Sequence, residues 1–417
     1  MYTAGEQDDH EGPHRAVPAI RAPRQGPWQG PTDLESELYR LARCGDSYGY
    51  LRRIAAEGLY RPVPLTRTGR RRIASRRLAT RRLEDGRTLA YVYTAGVLPR
   101  PHPYLAYEAT TLGEIARSCP RAVDVLAVNA ATPCARFFPA HPHERRVWTE
   151  LHEELHDPEA LRNRLLTRRT GTPAPGDLRH GLACGALPCY EEGEPWNAAD
   201  WHGRGHGAEL QWLGACWGVR TRQDWLDVQE RLLRRELSPW HWEFVLGARP
   251  RARPRHGGTA DPVRWREGVE AELRAAVGVR AGEDPALDAC VRELRELVGA
   301  IVRYEARFRA DGILAGDGAV RSVAAWDLGC ASMTARRGMG ARLASAEEAR
   351  RALERAGSAA RTAYASWDEY AAGYLLGRCL TADAEQFGEW YVTGLAAHRA
   401  LATDPDSPWR TVPYADG

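Results

Sequence analysis

Pro285-Ala-Leu-Asp-Ala-Cys-Val-Arg-Glu-Leu-Arg-Glu-Leu-Val-Gly-Ala-Ile-Val-Arg-Tyr-Glu-Ala-Arg-Phe-Arg309 sets Leu287, Cys290, Leu294, Leu297, Ile301, Tyr304 and Phe308 at alternating spacings of three and four. That rhythm puts seven apolar side chains on one stripe of a helix and predicts packing against other helices. The same period continues on both sides. Thr221 to Arg235 buries Trp225, Val228 and Leu232 on one face, and Val323, Trp326, Cys330 and Met333 line another run. Thr221/Asp224, Ser345/Glu348 and Ser366/Glu369 have the spacing at which a side-chain oxygen and an acid three residues on satisfy the first free amides of a helix. Trp212, Trp217, Trp225, Trp265, Trp326, Trp367 and Trp390 stand at the start of, or along, such runs. Residues 178–417 are therefore expected to form an all-α domain of about eight helices.

Upstream the pattern changes. Residues 1–31 carry Pro13, Pro18, Pro23, Pro27 and Pro31 with few aliphatic side chains, too little apolar surface to offset ordering entropy, and are expected to be a disordered tail. Residues 32–140 mix two periods. Asp33 to Cys44 and Tyr48 to Glu57 read as helices; Leu59-Tyr-Arg-Pro-Val-Pro-Leu65 reads as an edge strand, since its prolines cannot donate to a central ladder. Leu78 to Leu83 and Thr88 to Thr94 flank Asp85-Gly86, a hairpin signal. Thr111 to Ser118 reads as a short helix and Val123 to Asn129 as a buried strand. A helical extension and linker, with helices at His143 to Leu155 and Pro158 to Arg168, occupies 141–177 and ends in Thr170-Gly-Thr-Pro-Ala-Pro-Gly-Asp177. The fold class is an α+β N-terminal module followed by an all-α C-terminal domain, mainly helical overall.

Composition narrows the function classes. A chain of 417 residues exceeds what one core usually supports, and 43 % apolar with 27 % charged residues is ordinary for a water-soluble protein. The net charge of +3 gives no whole-protein affinity for nucleic acid or membrane. Every basic residue other than histidine is arginine, which keeps its charge when buried and pairs carboxylates through two bonds. The nine cysteines sit mostly in apolar runs with no secretory leader before them, so free thiols in a cytoplasmic protein are expected.

Two stretches are similar to known families. The pieces Leu59 to Leu65, Asp85-Gly-Arg-Thr-Leu-Ala-Tyr-Val-Tyr-Thr94, Thr111-Leu-Gly-Glu-Ile115 and Leu126-Ala-Val-Asn-Ala-Ala-Thr-Pro133, in this order, make residues 33–140 resemble the N-terminal domain of the SseB family, named for enhanced serine sensitivity. Ile73 to Leu83 departs from that pattern, being longer and richer in arginine. Leu182-Ala-Cys-Gly-Ala186, Pro195-Trp-Asn197, Trp217-Gly-Val-Arg-Thr-Arg-Gln-Asp-Trp225, Ala325-Trp-Asp-Leu-Gly329 and Ser366-Trp-Asp-Glu-Tyr370 running into Gly377-Arg378 make residues 178–417 resemble domain of unknown function family 1266, common in actinobacteria. Cys330 stands where that resemblance implies arginine, and Arg337 where it implies tryptophan. Neither resemblance implies an established reaction. The first implies an accessory factor that travels with specialised secretion or toxin–immunity genes.

The candidate residues follow from chemistry. Asp327, after Trp326 and read as mid-helix, has no local cap to explain it; with Arg336 or Arg378 it could line a pocket, or form an internal ion pair that fixes helix register. Asp368, Glu369 and Arg378 are otherwise explained by helix ends. Trp240, His241 and Trp242 could form an aromatic binding edge or a core cluster. Cys184, Cys189, His202 and His206 have zinc-finger spacing, with His180 as a spare ligand, but Gly203 and Gly205 interrupt the helix that two histidine ligands need. No metal or cofactor is expected. Arg61 to Arg82 holds nine arginines but no stacking aromatics, so it reads as solvated surface and nucleic acid is not expected. No stretch is long enough to span a membrane. The leading expectation is a non-enzymatic interaction or accessory module with a protein partner; the alternative is a hydrolase-like or nucleic-acid-processing enzyme using Asp327 and nearby arginines.

Overall fold

A computed structural model describes residues 28–64, 78–157, 164–168, 174–199, 205–249 and 260–415. The chain divides into two compact units: of these residues, 28–157 with 166–168 belong to the first, and 164–165 with 174–415 to the second. The first is α+β and the second all-helical.

The first unit begins with helices α1 (Asp33–Cys44) and α2 (Ser47–Ala56). Strands β1 (Leu59–Pro64), β2 (Thr80–Arg82), β3 (Thr88–Val92) and β4 (Leu105–Thr110) follow, then helix α3 (Leu112–Ser118), strands β5 (Val125–Val128) and β6 (Arg136–Pro139), helix α4 (Pro142–Leu155) and strand β7 (Thr167–Arg168). One sheet runs β1-β4-β7 and the other β2-β3-β5-β6, with only the β3–β5 pair parallel. As its prolines require, β1 lies at an edge. The β2–β3 hairpin forms over Asp85-Gly86, where Gly86 takes φ +86°. Thr111 and Glu114 close the reciprocal cap of α3. Trp148 and Tyr50 are sealed in the core, and the Tyr50 hydroxyl donates to the Cys134 carbonyl at 2.8 Å.

Several sequence expectations need correction here. Trp28, assigned to the tail, stacks edge-on against Tyr39 at 5.4 Å; residues 1–27 lie outside the described ones. Thr167–Arg168, expected at the end of a helix, extends the β1-β4 sheet, because β4 offers an open edge and Arg168 donates to the Tyr60 hydroxyl at 2.8 Å; residues 158–163 are not described. Strands β4 and β6 went unread. In β4 a buried glutamate, Glu108, breaks the apolar run, and its carboxylate faces the guanidinium of buried Arg61 at 3.7 Å.

The second unit contains α5 (Gly176–Cys184), α6 (Ala186–Glu192), α7 (His206–Trp217), α8 (Arg222–Leu233), α9 (Trp240–Ala248) and α10 (Pro262–Val277). It continues with α11 (Pro285–Ala310), α12 (Ala324–Gly340), α13 (Ala346–Ala363), α14 (Trp367–Ala382), α15 (Glu389–Thr403) and α16 (Pro408–Thr411). These twelve helices among the described residues exceed the expected eight, and short α5, α6 and α16 account for three of the difference. The core face of α11 is Leu287, Val291, Leu294, Val298, Ile301, Tyr304 and Phe308, with Cys290 and Leu297 at its margin. At the centre lies α12. Fifteen of its seventeen residues are buried, so it faces no solvent side, and it packs against α5, α6, α7, α8, α13 and α14. Its alanines and glycines let those neighbours approach: a methyl group on Gly338 would sit 2.0 Å from Nε1 of Trp225, whose ring fills that space and donates to the Thr334 carbonyl at 3.0 Å. The α5–α13 crossing is equally close, since a methyl group on Gly181 would lie 2.0 Å from the Leu353 carbonyl oxygen.

Because that obstacle is backbone, Gly181→Ala is expected to lower the unfolding free energy by about 2 kcal/mol or more. Gly268→Ala, mid-helix in α10 with nothing within 4 Å, raises it by about 0.5–1 kcal/mol. Urea unfolding of the two variants checks both signs.

Candidate functional site

A helix buried on all sides must satisfy its polar side chains internally. Near the start of α12 stands Asp327, 1 % exposed. The helix begins at Ala324, so this residue sits in the first turn, not mid-helix, and the positive end of the helix dipole favours its charge. Ser238, in the loop before α9, donates its backbone N–H to Oδ2 at 3.2 Å and its hydroxyl to Oδ1 at 3.0 Å. Glu243 of α9 accepts from the Ser322 hydroxyl at 2.7 Å and the Val323 amide at 2.8 Å. Two carboxylates thus tie the α8–α9 region to the start of α12. Burial pushes the Asp327 carboxyl up to about 6, the Ser238 hydrogen bonds opposing this and the Glu243 charge adding to it.

The candidate arginines do not meet Asp327. Arg336 donates to the Ala198 carbonyl at 3.0 Å, to Sγ of Cys189 at 2.6 Å and to the Pro195 carbonyl. Arg378 of α14 pairs with Glu191 at 2.5 Å, donates to the Trp390 carbonyl at 3.0 Å and lies 4.7 Å from the centre of the Trp390 ring. Burial pushes Glu191 up to about 7 even though this guanidinium acts in the opposite direction. The third arginine escaped sequence reasoning. Arg337, 2 % exposed, holds Glu194 at 2.5 Å and Glu209 of α7 at 2.7 Å, with its guanidinium 3.9 Å from the centre of the Trp212 ring. Its one signal was standing where the family resemblance implies an aromatic residue. Together the three arginines fasten α6, the turn after it, α7 and α15 around α12 and α14.

The remaining candidates scatter. Cys184 ends α5 and Cys189 lies in α6, where it accepts from Arg336; both thiols are pushed up by burial, that of Cys184 to about 12. His206 begins α7 with Nδ1 2.5 Å from the Gly340 carbonyl, and His202 lies outside the described residues. Among the described residues no group of three or more His, Cys, Asp or Glu is placed to hold a metal ion. Trp240, His241 and Trp242 do not share a face: Trp240 is 60 % exposed beside Phe244, His241 is half-buried and its pKa is lowered by burial, and Trp242 belongs to the core. In the arginine ribbon, 65–77 lie outside the described residues. No helix of the described residues is long and apolar enough to cross a membrane.

The arrangement around α12 can hold helices and store protonation energy; it presents no solvent-facing acid–base pair at Asp327. An acid with its pKa raised in the folded state binds its proton more tightly there than when unfolded. Between about pH 4 and 6, the contribution of Asp327 to stability therefore falls as pH rises. Asp327→Asn is expected to remove that contribution, so that the change in unfolding free energy between pH 4 and 7 differs from the parent chain's by on the order of 2 kcal/mol, read from urea unfolding at pH 4, 5, 6 and 7. A pH profile unchanged in the variant would show that Asp327 carries an ordinary pKa.

No curated protein and no solved structure matches this chain. Residues 213–414, from within α7 to the end of the helical unit, match the model of a family described as Protein of unknown function (DUF1266), which leaves Leu182 to Ala186 and Pro195 to Asn197 outside the match.

Proposed function

We propose that this is a cytoplasmic accessory protein without catalytic activity. In this reading an SseB-like N-terminal module accompanies a helical unit that docks a protein partner, in a specialised secretion or toxin-immunity setting. The observation that carries the reading is α7. Its one carboxylate, Glu209, turns inward to Arg337, and α7 carries no arginine. The side facing water consists of Gly207, Ala208, Leu210, Gln211, Ala215 and Cys216, so a helix surface without formal side-chain charge of either sign at Gly, Ala, Leu and Gln is left exposed. Depletion of charge at the centre marks protein interfaces, and the small residues allow a second helix to approach closely. The occupant this face suits is an amphipathic helix of the partner, laid along α7 with its apolar stripe inward. The capped α3 and the β2–β3 hairpin support the SseB-like reading of the first unit. Chemistry at Asp327 has less support, since Ser238 occupies both its oxygens.

A photo-crosslinking residue placed at Gln211 in the native host is expected to give one discrete protein adduct, and the same residue at Arg351, on the exposed side of α13, none. Leu210→Glu weakens the captured complex about tenfold, or 1.4 kcal/mol. Absence of an adduct at 211, or the same adducts from both positions, contradicts the proposal.

A further inference from the structure

A recess of about 700 Å³ opens between the α11–α12 connection, the first turn of α14 and the last half of α15. That volume is in the range of small-molecule sites. Ile313, Leu314, Val320, Ala372 and Ala402 form the apolar part of its lining. Its polar side chains are those of Arg321, Tyr364, Asp368, Glu369 and His398. Tyr364 is already used, donating to the Ser322 carbonyl at 2.9 Å and accepting from the Ala325 amide at 2.8 Å. Arg321 and Glu369 pair with each other at the mouth, cancelling their charges. Asp368 is exposed there and forms no ion pair among the described residues.

At the back stands His398, 6 % exposed, with its ring 5.8 Å from that of Trp409. It makes no hydrogen bond to the described residues, and its Nδ1 is sealed without a partner, whereas Nε2 is not among the sealed atoms. A buried imidazole left without hydrogen bonds is exceptional, because buried polar groups are nearly always paired. Burial holds its pKa down at about 4, the Asp368 charge acting upward and Arg399 downward. The ring is therefore neutral near pH 7 and offers a lone pair or an N–H without repelling a cation. Arg399 itself lies 4.0 Å from Asp311. With Arg321 and Glu369 cancelling and His398 neutral, one negative charge, that of Asp368, is left over at the mouth of an apolar cavity.

We propose that this recess is a binding site for a small organic ammonium ion with an apolar body. The ammonium group donates to the Asp368 carboxylate at the mouth, and the hydrocarbon fills the space lined by Ile313, Val320 and Ala402 in front of the neutral His398 ring. Asp368 lies on the first turn of α14, so the site is built from the same helices that resemble a family yet uses none of the buried arginines. It is independent of the docking face on α7.

Calorimetric titration of the full chain at pH 7.5 with n-hexylamine, n-hexanol and hexanoate tests the proposal. Hexylamine is expected to bind one per chain and about tenfold tighter than hexanol, with hexanoate weakest. Asp368→Asn, an exposed change that spares the fold, removes the preference for the amine, and Ala402→Phe, which fills the cavity, removes binding of all three. Amine binding persists down to pH 5.5, because His398 stays neutral. Equal affinity for amine and alcohol, tightest binding of hexanoate, an unchanged amine affinity in Asp368→Asn, a loss of binding centred near pH 6.5, or no saturable binding of any probe each overturns it.

Discussion

The helical unit depends on one buried guanidinium. Arg337 sits in the last turns of a helix that faces no solvent, and it holds two carboxylates, Glu194 and Glu209, that are themselves about 1 % exposed. Each ion costs several kcal/mol to remove from water, and the attraction offsets this only when the geometry is good. Two donors of one planar fork reach two acids and an indole ring covers the face of the fork at 3.9 Å, while Nε of Arg337 and Oε1 of Glu209 stay buried without a hydrogen-bond partner among the described residues. Such a cluster adds little net stability compared with apolar packing. Its physical consequence is positional, because α7 and the turn after α6 can satisfy their acids only in one place on α12.

From that constraint the exposed surface follows. With Glu209 drawn inward, α7 has no carboxylate left to show to water, and its outer face becomes uncharged. The same logic operates at Asp327 and Glu243, whose oxygens serve backbone and hydroxyl donors at the start of α12. Polar residues that in isolation could suggest catalysis are consumed in locating helices. The groups left over lie elsewhere, at Asp368 and His398, on helices whose other residues pack conventionally.

Much of the fold was legible because it was written in local periodicity. The three-and-four spacing of α11 located it within a residue of its observed bounds, and Thr221/Asp224 and Ser345/Glu348 form the full reciprocal caps their spacing implies. Ser366 caps Glu369, but the Glu369 side chain reaches the Ala365 amide instead of closing the box. What stayed hidden were interactions over long sequence distances. Arg337 meets acids 128 and 143 residues away, and Asp327 meets Ser238 across 89 residues. No local pattern chooses among such partners. Asp327 was misplaced along its helix because Val323 offers no side-chain cap to mark where α12 begins. The charge-free face of α7 depends on the inward turn of Glu209 to Arg337, a contact across 128 residues, and the recess beside His398 joins segments that are remote in sequence.

The central role of Arg337 is tested most directly by comparing Arg337→Met with the triple change Arg337→Met, Glu194→Gln, Glu209→Gln in urea unfolding. Removing the guanidinium alone strands two buried acids and is expected to cost about 3–5 kcal/mol, while the triple variant, which removes all three charges, recovers at least about half of that loss. A single variant within about 1 kcal/mol of the parent chain, or a triple variant no more stable than the single, would contradict the account.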